Sequence, residues 1–468
     1  SLWGLARQYG PLLLEKMQVA ANSAGDQVLE LMQAENALAS RYQKLYAGAQ
    51  VQFEGKTLTL PELGPYKQDL NRAVRRAAFE AEGGFFDAHR EEFDGIYSEM
   101  IENRNAQGRA LGYQDYVPLS YLRMGRLGYG PGEVESFRRQ VAESVTPLAA
   151  RAMADQFARV GIADPKFYDG AISFADGNPN PVGTAPELLA QAVRMYSELS
   201  PETAEFIRFM TEGGLFDLES RPGKAPGGYC ETIPAYGAPF IFSNFNGTAG
   251  DVDVLTHEAG HAFQGWMAAR QGLCQEMANP GLESCEIHSM SMEFLTSPWH
   301  KLFFGGSERT AAKYALSHAQ EALTFLPYGC MVDEFQHIVY AQPHLTPEER
   351  NRTWLELEHK YRPWNDFDGL PFYGRGAGWQ RQLHIYEYPF YYIDYCLAQM
   401  AALQFFAAHL ADPADAWRRY LALVKKGGTD TYAGLVRAAG FAVPFEAGAI
   451  APVARQVADW VAAQGKLL

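Results

Sequence analysis

The stretch DVDVLTHEAGHAFQGWMAARQG, residues 251–272, decides the reading of this chain. Acidic residues in its first turn and a glycine at its far end predict a helix. Inside it lies His257-Glu258-Ala259-Gly260-His261. Residues four apart stack on one helical face, so the two imidazoles can converge on a single metal ion. Zinc accepts neutral imidazole at ~2.0 Å in tetrahedral geometry, and two histidines on one rigid helix supply half of that shell. Glu258 stands about 100° around the helix from His257, within reach of a metal-bound water without becoming a ligand. Gly260 costs a helix ~1 kcal/mol and points to close packing against a neighbour. The competing reading, a surface helix with polar side chains, is the weaker one: 11 histidines in 468 residues would give such a pattern by chance roughly 0.02 times.

A metal at this helix needs a third protein ligand. The extended zinc pattern that continues with glycine at position 264 and histidine at 267 is excluded, because Gln264 and Met267 stand there. A carboxylate from a following helix remains, and QEMANPGLESCEIHSMSMEFL (275–295) offers Glu276, Glu283, Glu286 and Glu293. Glu276 precedes the Pro280-Gly281 break and is expected in a loop. A helix starting near Ser284 would carry Glu286 and Glu293 on one face. Glu286, one turn in, is the expected third ligand, with Glu283 as its alternative. Glu293, two turns in, either orients a ligand histidine or is an ordinary solvated glutamate. Asp253, four residues before His257, is a weaker candidate for the orienting task.

Outward from this segment the pattern is mostly helical. Residues 2–50 read as one or two long helices, and VQFEGKTLTL (51–60) as a short hairpin about Glu54-Gly55-Lys56. Helices follow to residue 161, interrupted at 125–132 by a glycine-rich turn whose Pro131 opens the next one. Residues 164–186 read as loop, with GNPNP (177–181) as the breaker, and a helical stretch then runs to Gly213. RPGKAPGGYCETIPAYGAPFIFSNFNG (221–247) separates β-favouring runs by Gly and Pro and predicts a small antiparallel sheet just before the metal helix. Helical spacing dominates thereafter, broken by the aromatic, glycine-rich residues 361–378. YCLAQMAALQFFAAHLA (395–411) is uncharged but shorter than the ~20 residues of a bilayer span, so a buried helix is expected. The expectation is a mainly α, multi-helix fold with one small antiparallel sheet, divided into an N-terminal helical lobe (1–215) and a catalytic lobe (216–468).

The composition, 47% hydrophobic and 20% charged, is that of a soluble globular protein. Lys plus Arg is 40 against 55 for Asp plus Glu, a net charge of -15, with no basic run to hold a nucleic acid or an anionic membrane. Five widely spaced cysteines without a C-x-x-C pair argue against a disulfide framework and fit a reducing cytoplasm. No basic stretch precedes a long apolar segment, so no secretory signal is expected. The first residue is Ser1 rather than Met, so residues upstream are expected.

HEAGH with Glu286, the preceding NFNGTAGDVDVLT and the following CEIHSMSMEFL together resemble the thimet oligopeptidase and oligoendopeptidase F family of zinc metallopeptidases, nearest its oligoendopeptidase F branch. FEGKTLTLPEL (53–63) and DLNRAVRRAAFEA (69–81) resemble an early segment of that branch, so the resemblance spans most of the chain. It implies one Zn2+ held by His257, His261 and Glu286, with Glu258 as general base. It also implies substrate-binding and oxyanion-stabilising roles for HIYEYPFYYIDY (384–395), giving His384, Tyr388, Tyr392 and Tyr395. The gap from His384 to the first tyrosine is one residue shorter than in the thimet branch. By composition, six aromatics in twelve residues belong to a core. The resemblance reverses that for Tyr395 and His384, and leaves Tyr386 and Tyr391 as packing residues. It implies further a two-lobed molecule with a deep channel that admits short unstructured peptides, and relatives that extend upstream of Ser1.

Three further expectations concern substrate. PFIFSNFNG (239–247) is expected to act as an edge strand pairing with an extended peptide. The glycines of YGRGAGW (373–379) would let a loop close over it, an ordinary surface turn being the alternative. The main reading is endopeptidase action. The alternatives are a carboxypeptidase or dipeptidyl carboxypeptidase, with Arg375 or Arg381 holding the terminal carboxylate, and a non-catalytic peptide-binding protein with a structural zinc. Glu258 argues against the last, because a structural site needs no base.

Overall fold

Glycine and proline divide the chain into helices much as the residues predict. The computed structural model describes residues 2–221 and 227–468, and 22 α-helices among them dominate the fold. Residues 2–50 form three helices rather than one or two, Leu2–Tyr9, Pro11–Asn22 and Leu29–Ala47. Gly10 breaks the first pair at φ +84°, and Pro11 starts the next helix. Strands β1 (Val51–Phe53) and β2 (Lys56–Leu58) form the expected hairpin. Its two turn residues, Glu54 and Gly55, take φ of +49° and +75°, the mirror-image turn that matches strand twist. Pro131 opens the helix Pro131–Gln140 after the glycine-rich turn.

The second sheet contains strands β3 (Phe216–Glu219), β4 (Tyr229–Ile233) and β5 (Ala238–Phe245), in the order β3-β5-β4. β4 and β5 form the antiparallel pair read from the sequence, with Cys230 opposite Ile241. β3 is an addition, parallel to β5; at four residues it is too short to show a period-two pattern. Residues 222–226, part of the quoted glycine- and proline-rich stretch, lie outside the described residues. β5 is paired on both sides, so the expectation that it forms an edge is corrected. Among the described residues β3 and β4 are the two edge strands, and β4 is the one joined to β5 by the hairpin.

β5 leads through a tight turn into the motif helix, Ala249–Ala269. The Asp251 carboxylate secures that entry by accepting from the N–H groups of Asn246 (3.0 Å) and Gly247 (2.8 Å). The glutamate helix, Leu282–Leu295, begins directly after Pro280-Gly281. Glu276 stands in a one-turn helix, Gln275–Ala278, rather than in a loop. A Cβ added at Gly260 would lie 2.7 Å from the carbonyl oxygen of His288 and 2.7 Å from Ser289 Cα. Gly260 therefore lets the motif and glutamate helices approach backbone to backbone. The tyrosine helix, Tyr392–Ala411, is buried between the glutamate helix and the long helix Glu308–Ala341. No helix among the described residues is long and apolar enough to cross a membrane.

Candidate metal centre and substrate cleft

The close helix approach at Gly260 places Glu286 against both histidines of the motif. Glu286 Oε2 lies 3.3 Å from His257 Nε2 and 3.4 Å from His261 Nε2, and the three donor atoms lie within 4.8 Å of one another. A tetrahedral ion with bonds of ~2.0–2.1 Å requires ligand atoms about 3.3 Å apart. Two imidazoles, one carboxylate and a remaining open position make the donor set of a catalytic zinc site, so these residues fit that ion. Burial works against the Glu286 charge, but His261 and His257 outweigh it and hold the carboxyl well below the usual range.

Two of the three donors, His257 and Glu286, are oriented by other side chains. Glu293 Oε1 holds His257 Nδ1 at 2.5 Å and turns Nε2 toward the centre. Its other oxygen holds His318 Nε2, also at 2.5 Å. Burial would raise the Glu293 carboxyl, yet the bonds from His257 and His318 bring it down to about 2. Of the two readings open for Glu293, the orienting one is the arrangement found. Asp253 is engaged elsewhere, accepting from Tyr314 at 2.5 Å, and burial raises its carboxyl to about 6. Glu286 Oε1 accepts from the Tyr391 hydroxyl at 2.9 Å, and Oε2 from Ser289 Oγ at 3.0 Å. Tyr391, read from sequence as a packing residue, thus belongs to the centre. Glu283 is buried away from it, facing Asp394, Arg126 and Tyr129. Glu258 projects from the motif helix half-buried, with no hydrogen bond or ion pair among the described residues. Its charge, after burial, helps push up the Cys230 thiol on β4.

The aromatic segment closes the other wall. A cavity of about 390 Å³ is lined by His257, Met290, Phe325, His384, Tyr392 and Tyr395 among others. The His384 ring centre is 5.0 Å from that of Tyr392 and 5.9 Å from that of Tyr395. His384 Nδ1 accepts from Gln382 Nε2 at 2.8 Å, while Gln382 Oε1 accepts from Tyr328 at 2.6 Å. This chain leaves Nε2–H as a donor. Burial lowers the imidazole to about 4, so that donor is neutral at physiological pH. Tyr388 lies 6.2 Å from His384, ring to ring, and is 52% exposed, at the rim. Tyr386 is fully buried and stacked on Tyr42, a packing residue as expected.

Two substrate expectations are corrected. The 373–379 loop is pinned: Trp379 is fully buried and donates to Asn351 at 2.9 Å, and a side chain at Gly376 would strike the Asn351 carbonyl. It is not a free lid. Arg375 and Arg381 each face a carboxylate already, Asp87 at 2.9 Å and Glu82 at 3.7 Å. His318 and Gln382 escape the sequence reading, which assigns Tyr391 to packing. Tyr391 lies inside the 384–395 segment and Gln382 two residues before it, whereas no motif surrounds His318.

The sequence profile of peptidase family M3 matches residues 189–453. No curated protein matches the chain. Among solved structures, a PZ peptidase A with an inhibitor is 45% identical over 98% of this chain and 81% of its own, with a TM-score of 0.93. A structure named oligoendopeptidase F is 45% identical over 99% of this chain and 82% of its own, TM-score 0.94. An oligoendopeptidase F from Bacillus anthracis str. Ames is 41% identical over 98% and 80%, TM-score 0.86.

Proposed function

Because the chain belongs to peptidase family M3, with oligoendopeptidase F among its solved relatives, we propose that it is a zinc-dependent endopeptidase cutting internal bonds of short, unstructured oligopeptides. The observation that carries this is the His257, His261 and Glu286 triad, with Glu286 at tetrahedral spacing from both histidines and Glu258, unpartnered among the described residues, one residue from the first donor. Zinc, when bound, polarises the scissile carbonyl and lowers the pKa of a water toward ~7. Glu258 takes the proton of the attacking water and delivers it to the leaving amine. The cleft supplies neutral donors for the oxyanion, the phenols of Tyr392 and Tyr395 and the Nε2–H of His384. Tyr388, at the rim, contacts the peptide. An extended peptide adds to the free edge of β4, next to the motif helix, with its main chain giving affinity and little sequence preference.

The metal donors and Glu258 all fall within residues 216–468, the catalytic lobe, and the N-terminal lobe (1–215) closes the channel that excludes folded proteins. Five free cysteines suit a reducing cytoplasm. The test is cleavage of an internally quenched peptide of about ten residues, with and without a chelator, with products mapped by mass. Internal cuts that vanish on chelation and return with zinc are expected. Removal of C-terminal dipeptides only would replace endopeptidase by dipeptidyl carboxypeptidase action, and equal cleavage of casein would refute the closed channel.

A further inference from the structure

Phe390 is the one aromatic residue among the described residues with a left-handed backbone, at φ +66°; the other non-glycine cases are Glu54 and Asp368. A bulky L-residue stays in that region only when its surroundings hold it there. Both main-chain groups of Phe390 are held. Its N–H donates to Gln336 Oε1 at 2.9 Å, and its carbonyl accepts from Arg126 Nη2 at 2.5 Å. The same Nη2 donates to Asp394 Oδ1 at 2.8 Å, so one guanidinium ties Phe390, two residues before the tyrosine helix, to that helix's first turn. Arg126, Gln336, Phe390 and Asp394 are all buried, and the side chains of the Arg126–Asp394 pair are wholly inaccessible. Arg126 comes from the glycine-rich turn, where Gly125 and Gly128 take φ of +66° and +78°, and its guanidinium lies 4.3 Å above the Tyr121 ring. The residue that follows Phe390 is Tyr391, the donor to Glu286.

We infer that Arg126 and Gln336 are positioning residues that hold Phe390 left-handed, and so set Tyr391 on Glu286 and aim the hydroxyls of Tyr392 and Tyr395 at the cleft. A relaxed, right-handed Phe390 would redirect the chain one residue before Tyr391 and break all three alignments together. The inference deepens the proposed function and rests on Glu286 being a zinc ligand there.

The test uses the double variant Arg126→Met/Asp394→Leu, which removes the buried pair together and leaves no lone charge in the interior, and the single variant Gln336→Leu. Zinc Kd is measured by competition with a chromophoric chelator, kcat and KM on the quenched peptide, and melting temperature on the zinc-free chain. Zinc Kd should rise about tenfold, the effect of losing a ligand's hydrogen-bond partner. The kcat should fall roughly ten- to a hundredfold with KM nearly constant, the effect of misplacing groups that act in the transition state. A lower melting temperature with unchanged kcat and zinc Kd would overturn the inference, leaving the cluster a core element only. If the double variant does not fold, Gln336→Leu decides by the same two readouts. If the parent chain cleaves nothing, the proposed function fails while zinc Kd still decides: weaker binding in the variants supports the clamp, and equal binding overturns it.

Discussion

Replacing Glu293 by glutamine tests how the zinc site is oriented. Glutamine keeps the shape of the carboxyl but removes its charge; burial opposes that charge, yet the bonds from His257 and His318 hold the carboxyl well below the usual carboxylate range. Two imidazoles share the carboxylate at equal distances of 2.5 Å, so only part of the loss falls on His257. Losing the partner of a ligating histidine costs about ten- to a hundredfold in metal affinity, and with the carboxylate shared the lower part of that range, roughly ten- to thirtyfold, is expected. The assay equilibrates Glu293→Gln with chelator-buffered zinc and measures bound metal and peptide cleavage together. Both should follow one shifted binding curve, with activity largely restored at saturating zinc. A zinc Kd within about threefold of the parent's would refute the reasoning, because the carboxylate would then contribute nothing to ligand orientation.

Four other outcomes are expected. Glu258→Gln should keep one zinc per chain and lose turnover by about 10²- to 10⁴-fold, and near-parental kcat would remove Glu258 as base. Glu286→Ala should lose zinc, as metal analysis after dialysis would show; full retention would require another ligand, which the placement of Glu283 opposes. Gly260→Ala should destabilise the zinc-free chain by about 1–3 kcal/mol in denaturant titration, since the new methyl meets main-chain atoms at 2.7 Å that no rotamer change can move. His300 is buried, and burial followed by the nearby His318 lowers it to about 3. The unfolded chain takes up that proton near pH ~6.5, so the stabilisation is complete above pH ~6.5 and is lost as the pH falls toward 3, about 2 kcal/mol of it by pH 5. Denaturant titrations of the zinc-free chain at pH 7 and 5 should show a smaller difference for His300→Gln, and identical differences would exclude His300 as the source.

The parts of the site that sequence reveals are those whose geometry is local. His257 and His261 meet because residues four apart on a helix must, and Glu286 could be chosen because the Pro280-Gly281 break fixes where the next helix starts. Gly260 was readable too, as a residue out of place in a helix unless something presses on it. The hidden parts depend on distant segments. His318 stands 25 residues beyond Glu293 on a helix with no motif around it. Which tyrosine reaches Glu286 depends on the left-handed backbone of Phe390, imposed by Arg126 and Gln336 and invisible in a run of aromatics. The 373–379 loop reads as mobile by its glycines, yet Asn351 pins it, so at Gly376 the small residue marks a close contact rather than freedom.

The same contrast separates the ligands from the base. His257 is fixed through Nδ1 by Glu293, and Glu286 is held by Tyr391 on one oxygen and Ser289 on the other. Little freedom remains in these two side chains for the metal to remove, and Glu286 already stands from both histidines at the spacing a tetrahedral ion needs. Glu258, on the same helix as both histidines, has no such partner among the described residues. A carboxylate that must accept a proton from water and release it to an amine has to change its hydrogen bonds within one turnover, and strong bonds to the protein would oppose both transfers. Restraint on the donors and its absence at Glu258 thus serve a single reaction, and Gly260 sets the helix spacing on which both depend.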